Sequence, residues 1–207
     1  MFEQTGNAER THTERLPPDL MSACRAAGIG IADVDLFAVA VGPGSFTGLR
    51  MGIATVQGLA MARDRRVVPV STLQALAAAA PGNAGRVAAW MDAQRGQVFA
   101  ARYSPEGSPL AGGASALTPS ETFQAWRDAG GTIPMRFIGD GAVRYSDVIH
   151  AEAGAGAVVL PHPLLAGVIA RMAHDDPSRA VLPHAVVPLY VRRPDAELAR
   201  ARQAGEG

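Results

Sequence analysis

The chain has 207 residues and a mass of 21.4 kDa, 48% of it hydrophobic and 18% charged. These values suit one large domain or two lobes of ~100 residues each and exclude a disordered polyelectrolyte. Basic and acidic residues number 19 each, so net charge is zero and a broad basic nucleic-acid surface is not expected. No apolar run reaches the ~20 residues of a membrane span, and the N-terminus lacks the basic start and apolar stretch of a signal peptide.

In chain order, Leu16, Leu20, Met21 and Cys24 recur at helical spacing over residues 16–27, with Gly28 as the stop. Residues 35–41 form an apolar run that ends in Gly42, Pro43 and Gly44, the pattern of a buried strand with a sharp turn. A helix follows over 47–63. Its core face carries Leu49, Ile53, Val56 and Ala60, and rows of small residues spaced by four (Gly48 and Gly52; Ala54, Gly58 and Ala62) admit close approach of another backbone. A second buried strand over 66–70 and a helix after Ser71 complete an α/β order.

Residues 86–91 and 97–103 read as strands joined by a loop containing Gly96. Beyond them lie a loop over 104–115, a short helix over 121–128, a strand over 136–138 turning at Gly139-Asp140-Gly141, a helix over 163–174 and a strand over 186–191. The predicted lobes are 1–85 and 86–194, with a frayed charged tail over 195–207.

Composition narrows the chemistry. All 19 basic residues are arginine, which excludes lysine nucleophiles, Schiff bases and a phosphate-loop lysine. The single cysteine, Cys24, can form neither an internal disulfide nor a thiolate cage, in keeping with a reducing compartment, here expected to be the cytoplasm. His150, His162, His174 and His184 have no second ligand one helical turn away, and Thr13-Glu14-Arg15 after His12 makes no paired-histidine motif, so no metal is expected. Asp92 and Asp140 follow strand ends, where capping a turn is the expected role. The glycine-rich turn, with Gly42, Gly44, Ser45, Thr47 and Gly48, can place free amides and a capping hydroxyl at a helix start. Gly48 is four residues after Gly44, and Leu49-Arg50 follows it, so neither nucleotide-binding glycine motif is met. A structural turn is the expected reading.

The run from Ala38 to Ala62 (AVAVGPGSFTGLRMGIATVQGLAMA), followed by a short strand and VSTLQALA, resembles the TsaB (YeaZ) family, which acts in making threonylcarbamoyladenosine in bacterial tRNA. HTERLPPDL, DAQRGQVFAARY from Asp92, Gly139-Asp140-Gly141 and PLYVR from Pro188 extend the likeness over residues 10–195, strongest over 36–80. The resemblance implies two lobes of the actin/Hsp70-like ATPase type, each on a ribonuclease-H-like sheet. It implies a non-catalytic scaffold that pairs with the TsaD paralogue, alongside the TsaE ATPase, touching tRNA only indirectly, with a homodimer through the same helices as an option. On that basis Met51, Ala54, Thr55, Gly58 and Ala62 are the expected partner face. Family members begin with an apolar strand ending in Asp-Thr-Ser and a second strand; here Met1-Phe2-Glu3-Gln4-Thr5 precedes the first helix, so a truncated first lobe, a start site lying upstream and no bound cofactor are expected. The alternatives are an ATP-binding enzyme of the same fold, or a glycoprotease-type metallopeptidase, for which no constellation is visible.

Overall fold

The computed structural model describes residues 2–5, 12–81 and 85–192; the tail expected over 195–207 lies outside them. The chain divides into two units. Unit 1 comprises Met1–Ala79 and Pro163–Pro188, and unit 2 comprises Ala80–His162 and Leu189–Gly207.

In unit 1, α1 (His12–Ala26) leads through a short 3₁₀ turn to β1 (Leu36–Gly42), α2 (Phe46–Ala62), β2 (Arg66–Ser71) and α3 (Thr72–Ala78). β1 and β2 run parallel, pairing Leu36 with Arg66 through Ala40 with Val70, and the register shifts before Gly42 pairs with Ser71. Parallel strands are covered on both faces, so both carry apolar side chains in both directions. Phe37, Val39 and Val41 face Ile53 and Ala60 of α2, while Val68 and Val70 pack with Ala75 and with Val168, Ile169 and Ala173 of α7 (Ala166–Asp175). Ser45 and Ser71 cap α2 and α3, accepting from the Gly48 and Gln74 amides.

The position of α7 corrects the expected lobe boundaries. Residues 163–188 belong to unit 1, because the apolar face of α7 finds its partners on β2 and α3. Val181 then exchanges two backbone hydrogen bonds with Val67, on the outer edge of β2. Residues 186–191 form no strand: Val186 is buried singly against β1 and α2, and the Gln57 amide donates to the Pro183 and Val186 carbonyls. Pro188 removes a donor that a ladder would use. The helix expected from 163 begins at Ala166.

Unit 2 is a five-stranded sheet in the order β5-β4-β3-β6-β7. β3 (Val87–Asp92) and β4 (Val98–Tyr103) make the expected antiparallel hairpin, with Gln94, Arg95 and Gly96 all at positive φ in its loop. β5 (Ser115–Leu117) and β7 (Val158–Leu160) are three-residue edge strands, and β6 (Arg136–Ile138) pairs parallel with β3 and β7. The helices are α4 (Pro119–Asp128), α5 (Asp140–Arg144) and α6 (Ser146–Ala153). Around Trp90, which is fully buried, the rings of Phe123, Trp126 and Phe137 stand 5.4, 6.0 and 5.7 Å away in tilted and edge-on arrangements. α4 starts with a reciprocal cap, in which Thr118 and Glu121 each satisfy the other's backbone amide.

Candidate functional site: the open face of α2 and its glycine turn

The turn at the carboxyl end of β1 is built for a change of direction. Gly42 has φ 117, which an L side chain rarely adopts, and its bond to Pro43 is cis. Ser45, not Thr47, supplies the cap: its Oγ accepts from the Gly48 amide at 3.3 Å, whereas Thr47 is exposed inside the first turn of α2. Gly44 has Leu49 beside it, where an added Cβ would stand at ordinary contact distance, 3.7 Å. The Arg50 guanidinium lies 4.1 Å from the centre of the Phe46 ring.

Along α2, Leu49, Ile53 and Ala60 are buried and Val56 half-buried, as the helical spacing requires of a core face. The other side of the helix is open. Ala54, Gly58 and Ala62 are exposed; Met51 and Thr55 are half-buried, and the Thr55 hydroxyl donates to the Met51 carbonyl at 2.8 Å. A Cβ at Gly58 would meet nothing within 4 Å. The small residues at 54, 58 and 62 therefore do not serve to seat α2 on its own sheet. α1 packs beside α2, and Met21 on α1 is exposed. Met61, 64% exposed and seven residues after Ala54, extends the open face. Its signal is the continuation of the Ala54 and Gly58 row by three residues, one that a search for small residues passes over. Methionine suits adaptable contact surfaces.

The carboxylates at strand ends fasten the backbone. Asp140 Oδ1 accepts from the Asp92 and Gly141 amides at 3.1 and 2.8 Å, while Asp92 accepts from the Gln94 amide and pairs with Arg144 at 2.7 Å. Among the described residues there is no group of three His, Cys, Asp or Glu side chains able to hold a metal ion. No described helix is long and apolar enough to cross a membrane.

Residues 6–132 match the family model described as TsaD, tRNA N6-adenosine threonylcarbamoyltransferase. The solved structure of YeaZ from Pseudomonas aeruginosa superposes with a TM-score of 0.68 at 31% identity, covering 87% of this chain and 85% of that one. The chain belongs to the TsaD-related family, among its TsaB (YeaZ) members. Another Pseudomonas aeruginosa structure, described as an uncharacterized protein with similarity to peptidase YEAZ, gives a TM-score of 0.71 at 31% identity over 88% of this chain and 85% of that one. TsaB of Haemophilus influenzae is 43% identical over 94 residues, 44% of this chain and 40% of that protein. TsaB of Escherichia coli is 40% identical over 96 residues, 45% of this chain and 42% of that protein. The chain thus spans about two fifths of the length of these curated TsaB relatives in the match. An uncharacterized protein of Mycobacterium tuberculosis is similar over a longer stretch, 33% identical across 91% of this chain and 78% of its own length. The α/β architecture expected of TsaB members is the one found here.

Proposed function

We propose that this chain is a non-catalytic scaffold subunit in the synthesis of threonylcarbamoyladenosine in tRNA. In this reading it pairs with a TsaD paralogue in the cytoplasm while a TsaE ATPase assists. The observation that carries the reading is the open face of α2, where Ala54, Gly58 and Ala62 are exposed with Met61 beside them. Small residues spaced by four let a second helix approach closely, and two helices from each partner would form a four-helix contact. Met51 and Thr55 border that face. The same face would serve a homodimer when no paralogue is present, and tRNA contact would come through the partner. The glycine turn from Gly42 to Gly48 has a structural role in this reading, setting the direction of α2.

The test is co-purification of the full chain with TsaD from the same organism, followed by threonylcarbamoyl transfer with TsaE, ATP and tRNA. Gly58→Arg is expected to leave the fold intact, because a side chain at 58 points into open space. It should weaken pairing ~100-fold or more, since a guanidinium would be buried without a partner at several kcal/mol. Unchanged co-purification of Gly58→Arg would remove this face from the contact.

A further inference from the structure

Unit 2 buries three polar groups that no hydrogen bond among the described residues satisfies: Trp90 Nε1 on β3, Arg102 Nε on β4 and Ser115 Oγ on β5. Register places them on one face of the sheet. Trp90 and Ser115 both pair with Ala100, from opposite sides, and Arg102 is two residues beyond Ala100 on the same strand. All four side chains therefore point the same way, toward Phe123 and Trp126 of α4. Strands stand ~4.8 Å apart, so the Trp90 and Ser115 backbones are ~10 Å apart with the Ala100 methyl between them. Native folds rarely leave even one such atom unsatisfied, and here three share a patch a few residues wide.

All three groups can donate, and one carries a charge. Arg102 is buried and pairs with no carboxylate among the described residues; its Nη1 and Nη2 donate to the Thr132 and Ala111 carbonyls. Arg86 adds a second positive charge to its surroundings. A buried donor without an acceptor is costly, and a buried cation without an anion more so. A water molecule would accept from the two N–H groups but bring no charge. A small anion accepts from all three groups and offsets the guanidinium. Ala88, opposite Arg102, and Ala100 are fully buried in the cluster of Trp90, Phe123 and Trp126, so the place over their methyls suits a single atom and not a sulfate or phosphate. We propose that unit 2 binds one chloride ion over Ala100, held by the Trp90 and Arg102 N–H groups and the Ser115 hydroxyl. The site is separate from the open face of α2, which belongs to unit 1.

The test compares melting temperatures of the full chain in sodium chloride and in sodium gluconate at equal ionic strength, gluconate being too large for the place. A ligand that binds only the folded form raises stability with the logarithm of its concentration over Kd. Between chloride-free buffer and about 200 mM chloride, a millimolar site raises the midpoint by roughly 4 °C or more over the gluconate control. Ser115→Ala lies on a three-residue edge strand, so it is expected to fold and to lose at least half of that rise. Arg102→Met is expected to lose all of it. The direct readout is a crystal grown in sodium bromide, with an anomalous peak expected within hydrogen-bonding reach of Trp90 Nε1, Arg102 Nε and Ser115 Oγ. Equal midpoints in chloride and gluconate overturn the proposal, and so does a full chloride response in both variants. Water at the place, or bromide confined to the surface as an adventitious ion only, would overturn it as well.

Discussion

Replacing Gly141 by alanine tests how closely α5 packs on β3. An added Cβ at position 141 would stand 2.7 Å from the Met91 carbonyl carbon and 2.9 Å from the Asp92 nitrogen. Both are backbone atoms inside a sheet and cannot rotate away, so α5 must retreat by roughly 1 Å to restore ordinary contact. That retreat stretches the 3.1 Å bond from the Asp92 amide to Asp140 and unseats Ala142, which is fully buried. Overpacking costs ~1–3 kcal/mol and weakening a hydrogen bond to a charged group up to ~1.5–3 more, against ~0.4–1 regained from the stiffer unfolded chain. The net loss is ~2–4 kcal/mol, or about 5–15 °C in melting temperature for a chain of this size. The assay is differential scanning calorimetry of Gly141→Ala beside Gly156→Ala, whose Cβ meets only the flexible end of Met135, at 3.5 Å. If both variants melt within 1 °C of the parent, the close approach of α5 to β3 is not a feature of the folded protein.

Two other perturbations probe unit 2. Arg102 is 2% exposed and pairs with no carboxylate among the described residues; its guanidinium donates to the Thr132 and Ala111 carbonyls and lies 5.1 Å from the centre of the Trp126 ring. Burial lowers its pKa from the ordinary arginine value, and the charge of Arg86 adds to this. Arg102→Met removes two charge-assisted bonds and relieves the burial of a cation, for a net loss of ~1–3 kcal/mol. Limited proteolysis should show faster cleavage within 104–114, and an unchanged rate would mean that this side chain does not hold the loop. At the start of α4, the Thr118 hydroxyl and then its amide hold the Glu121 carboxyl below the usual glutamate range. A depressed folded value means that the cap contributes above the unfolded glutamate's pKa and is lost as pH falls through the folded one. Melting temperatures of the parent and Glu121→Gln should differ at neutral pH and converge in acid; parallel curves would contradict the cap.

The segments from β1 to α3 were legible because each is long enough to show its period and is punctuated by Gly42, Ser45 or Ser71. β5 and β7 were not, since three half-exposed residues at a sheet edge carry no alternation to read. After Gly139 the sequence shows only a turn, because α5 has five residues and is sustained by its packing on the sheet rather than by its own period. The apolar run from Val186 suggested a strand, but a strand needs a neighbour, and the chain there meets a helix and the Gln57 amide instead. The placement of α7 in unit 1 joins residues about a hundred positions apart, which local pattern does not encode. For the candidate site, spacing identified the row of Ala54, Gly58 and Ala62 but left open whether it seats the helix or faces outward. Burial answers that question.

The aromatic cluster also settles what light can report about this molecule. Trp90 and Trp126 are the chain's two tryptophans, and both belong to unit 2. Intrinsic emission therefore follows the opening of that unit and is blind to unit 1, whose helices register only in far-ultraviolet dichroism. Heating the protein while recording both signals yields two curves from one sample. Coincident midpoints would describe a single cooperative transition, and separated ones would assign a stability to each unit without a single substitution.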